Sequence, residues 1–289
     1  MIFRELLKKG IETLDQAGIS DASNDARILM EYCFGINREK LLLSYEEEVT
    51  AEDAEKNFGE LIERRAARIP LQHIIGTADF MGLEFKVDEN VLVPRFDTEI
   101  LVEEALKSIN DGDRILDMCT GSGCILVSLL KFSNNCHGVG VDLSPKALEI
   151  ARRNAEVILH DREDVSIEFV QSDMFDNLSL TQENFDMIVS NPPYIETEEI
   201  EKLEPEVRLH DPMMALDGGT DGLDFYRVIA QRGHDFLRPG GVLLLEIGCE
   251  QGESVEKMLL EADFQNIEIF KDYSGLDRVV RAERKINYV

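Results

Sequence analysis

The sequence predicts an α/β fold in which a mostly parallel sheet carries helices on both faces, preceded by a small helical bundle and a β-hairpin. Three observations predict it. Residues 1–75 show only helical periodicity. From residue 97 onward, short apolar segments alternate with helical patterns, as a parallel sheet with crossover helices requires. The last two strand-like segments lie too close together for a helical crossover, so they form an antiparallel pair at the sheet end.

Taken in order, the bundle comes first. Ala54, Phe58, Leu61, Ile62 and Ala66 recur at three- and four-residue spacing and line one helical face. Thr50 followed by Asp53 supplies its N-terminal cap, and Pro70 stops the run. Shorter amphipathic helices are expected over 2–17, 23–34 and 37–44, separated by Gly18, Gly35 and polar residues. Residues 76–96 form the hairpin linker, because Leu83, Phe85 and Val87 alternate with charged residues and Gly82 supplies a turn. Over 97–289 the expected strands are 114–118, 138–142, 166–171, 185–190 and 241–248, with 267–272 and 277–283 as the closing pair. The helix after the second of these is well signposted, with Ser144 as N-cap and Pro145 in its first turn.

Composition narrows the function. Thirty basic and 58 acidic residues in a chain of 289 give a net charge of −28. Affinity for nucleic acid comes largely from Lys and Arg neutralising phosphates, so direct nucleic-acid binding is not expected and a basic protein partner is favoured. No apolar run reaches the ~20 residues of a membrane span. The amino terminus alternates charged and apolar residues, unlike a secretory signal. Five cysteines without a C-x-x-C pair argue against disulfides and zinc. The five histidines are scattered without ligand spacing, and no metal is expected. A monomer in the reducing cytoplasm, with no membrane partner, is the expectation.

The segment from Asp117 through Cys119, Thr120, Gly121, Ser122 and Gly123 follows the first strand and opens a helix. Glycines there let a ligand approach the backbone at a helix N-terminus. The dinucleotide pattern would need Gly or Ala where Leu126 stands, and no P-loop lysine is present. Asp142, nineteen residues beyond Gly123, ends the second strand and can accept both ribose hydroxyls of an adenosine. Asp173 follows the third strand, where an adenine-contacting loop belongs. An adenosyl ligand without phosphates fits this pattern, and S-adenosyl-L-methionine is the obvious one.

Asn191-Pro192-Pro193-Tyr194, at the end of the fourth strand, is the most specific signal. Two prolines fix φ and remove two N–H donors, leaving carbonyls and the Asn191 side chain as stiffly held acceptors. An Asn oxygen and a backbone carbonyl can together accept both hydrogens of a planar NH2 group, while Tyr194 packs on its face. Such a nitrogen is a poor nucleophile because its lone pair is delocalised. Two acceptors stabilise the charge that develops as it rehybridises and aim the lone pair at a methyl carbon.

These residues resemble the HemK/PrmC family, protein-(glutamine-N5) methyltransferases that modify peptide chain release factors. The resemblance spans nearly the whole chain through residues 76–99, 115–125, 139–155, 172–175, 191–195, 211–227, 237–253 and 272–282. Asn-Pro-Pro-Tyr alone is shared with adenine-N6 methyltransferases; PRFDTE (94–99) and DGGTDGLDFYR (217–227) point to this family. The resemblance implies a class I, Rossmann-like methyltransferase domain with a seven-stranded sheet and a bundle that helps bind the release factor. Its target would be the glutamine of the Gly-Gly-Gln loop. It also implies that Cys119 to Gly123 cradle the methionine part of S-adenosylmethionine and that Asp142 holds the ribose. Met174 would lie against the adenine, Asn191 and Pro192 would take the glutamine amide, and Tyr194 would pack on the substrate. Cys119 stands where Gly is frequent, Phe96 where Pro is frequent, and Met174 where an aromatic can occur.

Met213 and Met214 read as packing residues. The acidic stretch 196–206 reads as a solvated face, with a docking surface for a basic partner as the alternative. Two other functions compete: a DNA adenine-N6 methyltransferase, which would need a basic face, and a non-catalytic adaptor that binds the cofactor.

Overall fold

Amphipathic spacing produces five helices in the first part of the chain. They are α1 (Phe3–Gln16), α2 (Ala22–Phe34), α3 (Arg38–Leu43), α4 (Glu52–Ala66) and α5 (Leu71–Ile75). The computed structural model describes residues 1–50, 52–178 and 184–286. The expected cap from Thr50 and Asp53 involves the segment at residue 51, outside the described residues. Leu14, Ala26, Leu29, Met30, Phe58 and Ile62 form the centre of the bundle's own core. Gly35 ends α2 in the left-handed conformation that a helix C-terminus favours.

The rest of the chain gives β1 (Thr77–Phe80), β2 (Leu83–Lys86), α6 (Phe96–Leu106), β3 (Arg114–Met118), α7 (Cys124–Phe132), β4 (His137–Asp142), α8 (Pro145–Ile158), β5 (Ser166–Gln171) and β6 (Phe185–Ser190). It continues with α9 (Pro205–His210), α10 (Asp224–Phe236), β7 (Leu237–Glu246), α11 (Gly252–Glu261), β8 (Phe264–Lys271) and β9 (Asp277–Arg284). β1 and β2 pair as a hairpin, and both residues between them, Met81 and Gly82, have positive φ, as a two-residue turn matching strand twist requires. The seven-stranded sheet has the order β5-β4-β3-β6-β7-β9-β8. β5 to β7 are parallel; β9 pairs antiparallel with both β7 and β8 and so lies one place in from the edge.

Period-two alternation sorts each central strand between the two faces. Ile115, Met187, Val189 and Leu244 enter one core, together with α6 and α7 residues. Leu116, Met118, Ile188, Leu243 and Leu245 enter the other, with α10 and α11 residues. Ser144 caps α8 as the sequence predicts, its Oγ accepting from the Ala147 N–H at 3.2 Å.

The chain divides into two compact units, one of residues 1–77 with 204–210, the other of residues 78–203 with 211–289. α9 thus belongs with the bundle although it lies far away in sequence. Within that unit, the buried Arg65 joins Asp25 at 2.7 Å and Glu206 at 3.0 Å, and Arg68 joins Glu206 at 3.1 Å. Glu206 is therefore an internal ion-pair partner. Glu196, Glu198, Glu199 and Glu201 in the same acidic stretch are exposed. None of the helices is long and apolar enough to cross a membrane among the described residues.

Candidate active site

Strand order places the site. β4 lies on one side of β3 and β6 on the other, so the chain reverses direction of winding between β3 and β6. A crevice opens at such a point beyond the carboxyl ends of the strands, where open α/β sheets bind ligands. A cavity of about 510 Å³ occupies it. Of the residues singled out from the sequence, Cys119, Thr120, Gly121, Ser122, Asp142, Asp173, Met174, Asn191 and Pro193 line its wall.

The glycine loop is built by backbone geometry. Cys119, Gly121 and Gly123 all have positive φ, at 61°, 54° and 79°. For a cysteine this conformation costs about 1 kcal/mol, which explains why glycine suits position 119. Gly123 is required twice over, because a Cβ there would also sit 3.1 Å from the Ala151 Cβ in α8. The loop is fastened from below. Thr120 Oγ1 donates to Asp117 Oδ2 at 2.6 Å, and the Thr120 N–H donates to the Val141 carbonyl at 2.9 Å. Asn154 in α8 donates to the Ser122 carbonyl at 2.8 Å and to the Lys86 carbonyl at 3.1 Å, tying the loop to the hairpin.

Asp142 closes β4 with its carboxylate held in place. Oδ2 accepts the Gly121 N–H at 2.9 Å and Oδ1 accepts the Ser144 N–H at 2.8 Å. Burial raises its pKa above the ordinary carboxylate range. Asp117 is pushed up to about 7, again by burial, and supports Thr120 without reaching the cavity wall. Burial also raises the Cys119 and Cys124 thiols, the latter to about 12, so both stay protonated near neutrality. The Cys119 thiol lies 3.9 Å from the Met174 sulfur.

Asn191 follows β6 and faces the same cavity. Its Nδ2 donates to Thr98 Oγ1 at 3.2 Å. Pro192 and Pro193 are buried, and only Pro193 of the two reaches the wall. The following turn is clasped by the 216–222 segment. Ile195 N–H donates to the Leu216 carbonyl at 3.0 Å, and Gly218 N–H donates to the Ile195 carbonyl at 2.8 Å. Gln251 Nε2 donates to the Tyr194 carbonyl at 2.9 Å and to the Gly222 carbonyl at 3.2 Å. A Cβ on Gly222 would stand 2.5 Å from the Tyr194 carbonyl oxygen, so this close approach needs glycine.

The Tyr194 hydroxyl donates to Glu246 Oε1 at 3.4 Å. One sequence reading shifts here. Met213 and Met214, read as packing residues, are about half exposed and line the cavity instead. A methionine pair beside a glycine-rich turn carries no periodicity that distinguishes wall from core. The sequence reading assigned no role to Arg95 and Thr98, within PRFDTE, or to Phe225, within DGGTDGLDFYR; all three line the wall. Arg95 pairs with the buried Asp211 at 2.9 Å.

Comparison with known proteins places this arrangement. The PrmC N-terminal domain model matches residues 5–76, and the methyltransferase small domain model matches residues 95–206. The release factor glutamine methyltransferase of Geobacter sulfurreducens is 41% identical over 267 residues, covering 92% of this chain and 91% of that protein. The chain belongs to the release factor glutamine methyltransferase family. The Caulobacter vibrioides member is 40% identical over 272 residues, covering 93% of this chain and 92% of its own length. A methyltransferase structure from Pyrococcus furiosus, 20% identical, superposes with a TM-score of 0.56 over 78% of this chain and 100% of that one. The seven-stranded sheet is thus the class I methyltransferase fold.

Proposed function

We propose that this chain transfers a methyl group from S-adenosyl-L-methionine to the side-chain amide nitrogen of the glutamine in the Gly-Gly-Gln loop of class I peptide chain release factors. The observation that carries this reading is that Asp142 and Asn191, from opposite sides of the sheet's reversal point, meet in one cavity wall. The residues fit the group. Asp142 offers a fixed carboxylate with free lone pairs for a ribose diol. Met174, Val91 and Leu143 offer an apolar surface for a purine, with Asp173 beside it for the exocyclic amine. Cys119 to Ser122 offer backbone at close range for the amino-acid end. When bound, S-adenosylmethionine supplies an electrophilic methyl carbon.

This chain's residues do the rest. The Asn191 oxygen accepts one hydrogen of the substrate amide, and the Pro192 carbonyl is assigned the second. Both acceptors hold the nitrogen in line and favour the charge it gains as its lone pair leaves conjugation. Tyr194 is assigned to the substrate side through its ring, with its hydroxyl anchored on Glu246. The bundle, residues 1–75, is assigned to release-factor recognition, and the net charge of −28 favours a protein substrate over nucleic acid. The test is methyl transfer to a class I release factor and, in parallel, to unmethylated duplex DNA, with the methyl located by mass spectrometry. Modification of the Gly-Gly-Gln glutamine supports the reading; modification of adenine, or of neither, overturns it.

A further inference from the structure

We infer that Arg95 is a substrate-binding residue: held by Asp211 at the rim of the cavity, its guanidinium donates to a main-chain carbonyl of the segment that carries the target glutamine. The inference deepens the proposed function and rests on the reading of Asn191 as the acceptor for the substrate amide.

A closed circuit of contacts puts Arg95 on the substrate side. Arg95 immediately precedes α6, and its carbonyl accepts the Thr98 N–H at 3.1 Å. Asn191 Nδ2 donates to Thr98 Oγ1 at 3.2 Å. From Asn191 the chain runs to Ile195, whose N–H donates to the Leu216 carbonyl at 3.0 Å. From Leu216 it leads back through Met214 and Met213 to Asp211, which closes the circuit on Arg95. Arg95, Thr98, Asn191, Met213 and Met214 line one cavity. The residues assigned to the cofactor, Asp142, Asp173 and Cys119 to Ser122, follow or end β3, β4 and β5 and take no part in the circuit.

The chemistry of the pair selects the ligand. The Asp211 side chain is 1% exposed and that of Arg95 45%, so a fixed inner carboxylate orients an outward-reaching guanidinium. The bond to Asp211 Oδ2, at 2.9 Å, takes Nη2 of a planar group that carries five donors. Arg95 is the only basic residue in the cavity wall among the described residues, which makes it the strongest donor there. A carboxylate already faces it, which weakens its pull on a second anion and suits its other donors to a neutral carbonyl. Asn191 accepting at the side-chain amide and Arg95 donating at the main chain would orient a glutamine from both ends.

The experiment compares Arg95→Lys and the Arg95→Met/Asp211→Asn double variant with the parent, in the full chain and with a whole release factor as substrate. The double variant removes the guanidinium without leaving an uncompensated buried carboxylate. Its kcat/KM is expected to fall by about 10- to 150-fold, the effect of one charge-assisted hydrogen bond. A carbonyl contact made equally in ground and transition states shows in KM, so kcat should stay within about threefold. Calorimetric affinity for S-adenosylmethionine should stay within about twofold in both variants. Arg95→Lys can still pair with Asp211 and should keep the parental urea midpoint, yet lose about tenfold in kcat/KM, because a compact ammonium lacks the fork that serves two acceptors. Parental kcat/KM in Arg95→Lys would reduce Arg95 to an ion-pair partner and overturn the inference. So would a loss of cofactor affinity of about tenfold, which would assign the guanidinium to the cofactor's carboxylate, or a loss confined to kcat. Parental activity of Asn191→Ala would instead overturn the reading on which the inference rests.

Discussion

Replacing Asp142 by Asn changes the least volume and the most chemistry at the site. The carboxylate accepts the Gly121 N–H at 2.9 Å and the Ser144 N–H at 2.8 Å, one on each oxygen, and each oxygen keeps a second lone pair. An amide retains one acceptor and places its NH2 against one of those two N–H groups. A hydrogen bond to a charged acceptor contributes about 1.5–3 kcal/mol, so losing one ribose contact should weaken cofactor binding by about 10- to 150-fold. The sign of the pH dependence follows from the same geometry. Burial holds the free carboxyl above its ordinary range, while binding favours the ionised, accepting form. Affinity of the parent is therefore full above that raised pKa and falls as pH drops through it, at higher pH than an ordinary aspartate would show. The variant should lack this step. Isothermal titration with S-adenosylmethionine across mildly acidic to mildly alkaline pH measures both effects. A variant that binds within twofold of the parent, or that keeps the acidic step, refutes the ribose assignment.

Other perturbations separate chemistry from architecture. Asn191→Ala should raise the barrier to methyl transfer by about 2–4 kcal/mol with little change in cofactor affinity; single-turnover rates near the parent value would refute it. Gly222→Ala places a Cβ 2.5 Å from the Tyr194 carbonyl oxygen and forces alanine to φ 69°, so it should cost about 2 kcal/mol or more in urea unfolding and lower kcat. A stability loss below about 0.5 kcal/mol would mean that the clasp on the Asn-Pro-Pro-Tyr turn yields easily. Arg65→Leu strands the buried Asp25 carboxylate and should destabilise the bundle by about 3–5 kcal/mol, partly restored by Asp25→Leu; no change in the unfolding midpoint would refute that. Removing residues 1–75 should leave cofactor affinity nearly intact and reduce methylation of a whole release factor by about tenfold or more, an effect carried by lost docking contacts; equal activity of the truncated chain would remove the recognition role.

The sequence by itself determined the element order, because periodicity and caps are local. The strands at 114–118, 166–171 and 185–190 lie where their alternating apolar residues put them, and Ser144 caps α8 as its type and position require. The glycine loop, Asp142 and Asn191 were legible for a related reason: each carries a residue type whose backbone or acceptor chemistry is unusual at the end of a strand. Cys119 shows the limit, since its positive φ is dictated by the loop and not by cysteine. Only the tertiary structure decided what those residues face. Thr98 and Asn191 are 93 residues apart in the sequence and meet at 3.2 Å beside the cavity. Glu206 sits in a run of acidic residues like any solvated face, yet the fold returns α9 to Arg65 and Arg68. Tyr194 finds its partners far along the chain, its hydroxyl donating to Glu246 and its carbonyl accepting from Gln251. Local pattern fixes backbone conformation within a few residues, whereas a side chain's partner depends on long-range packing that no window of sequence contains.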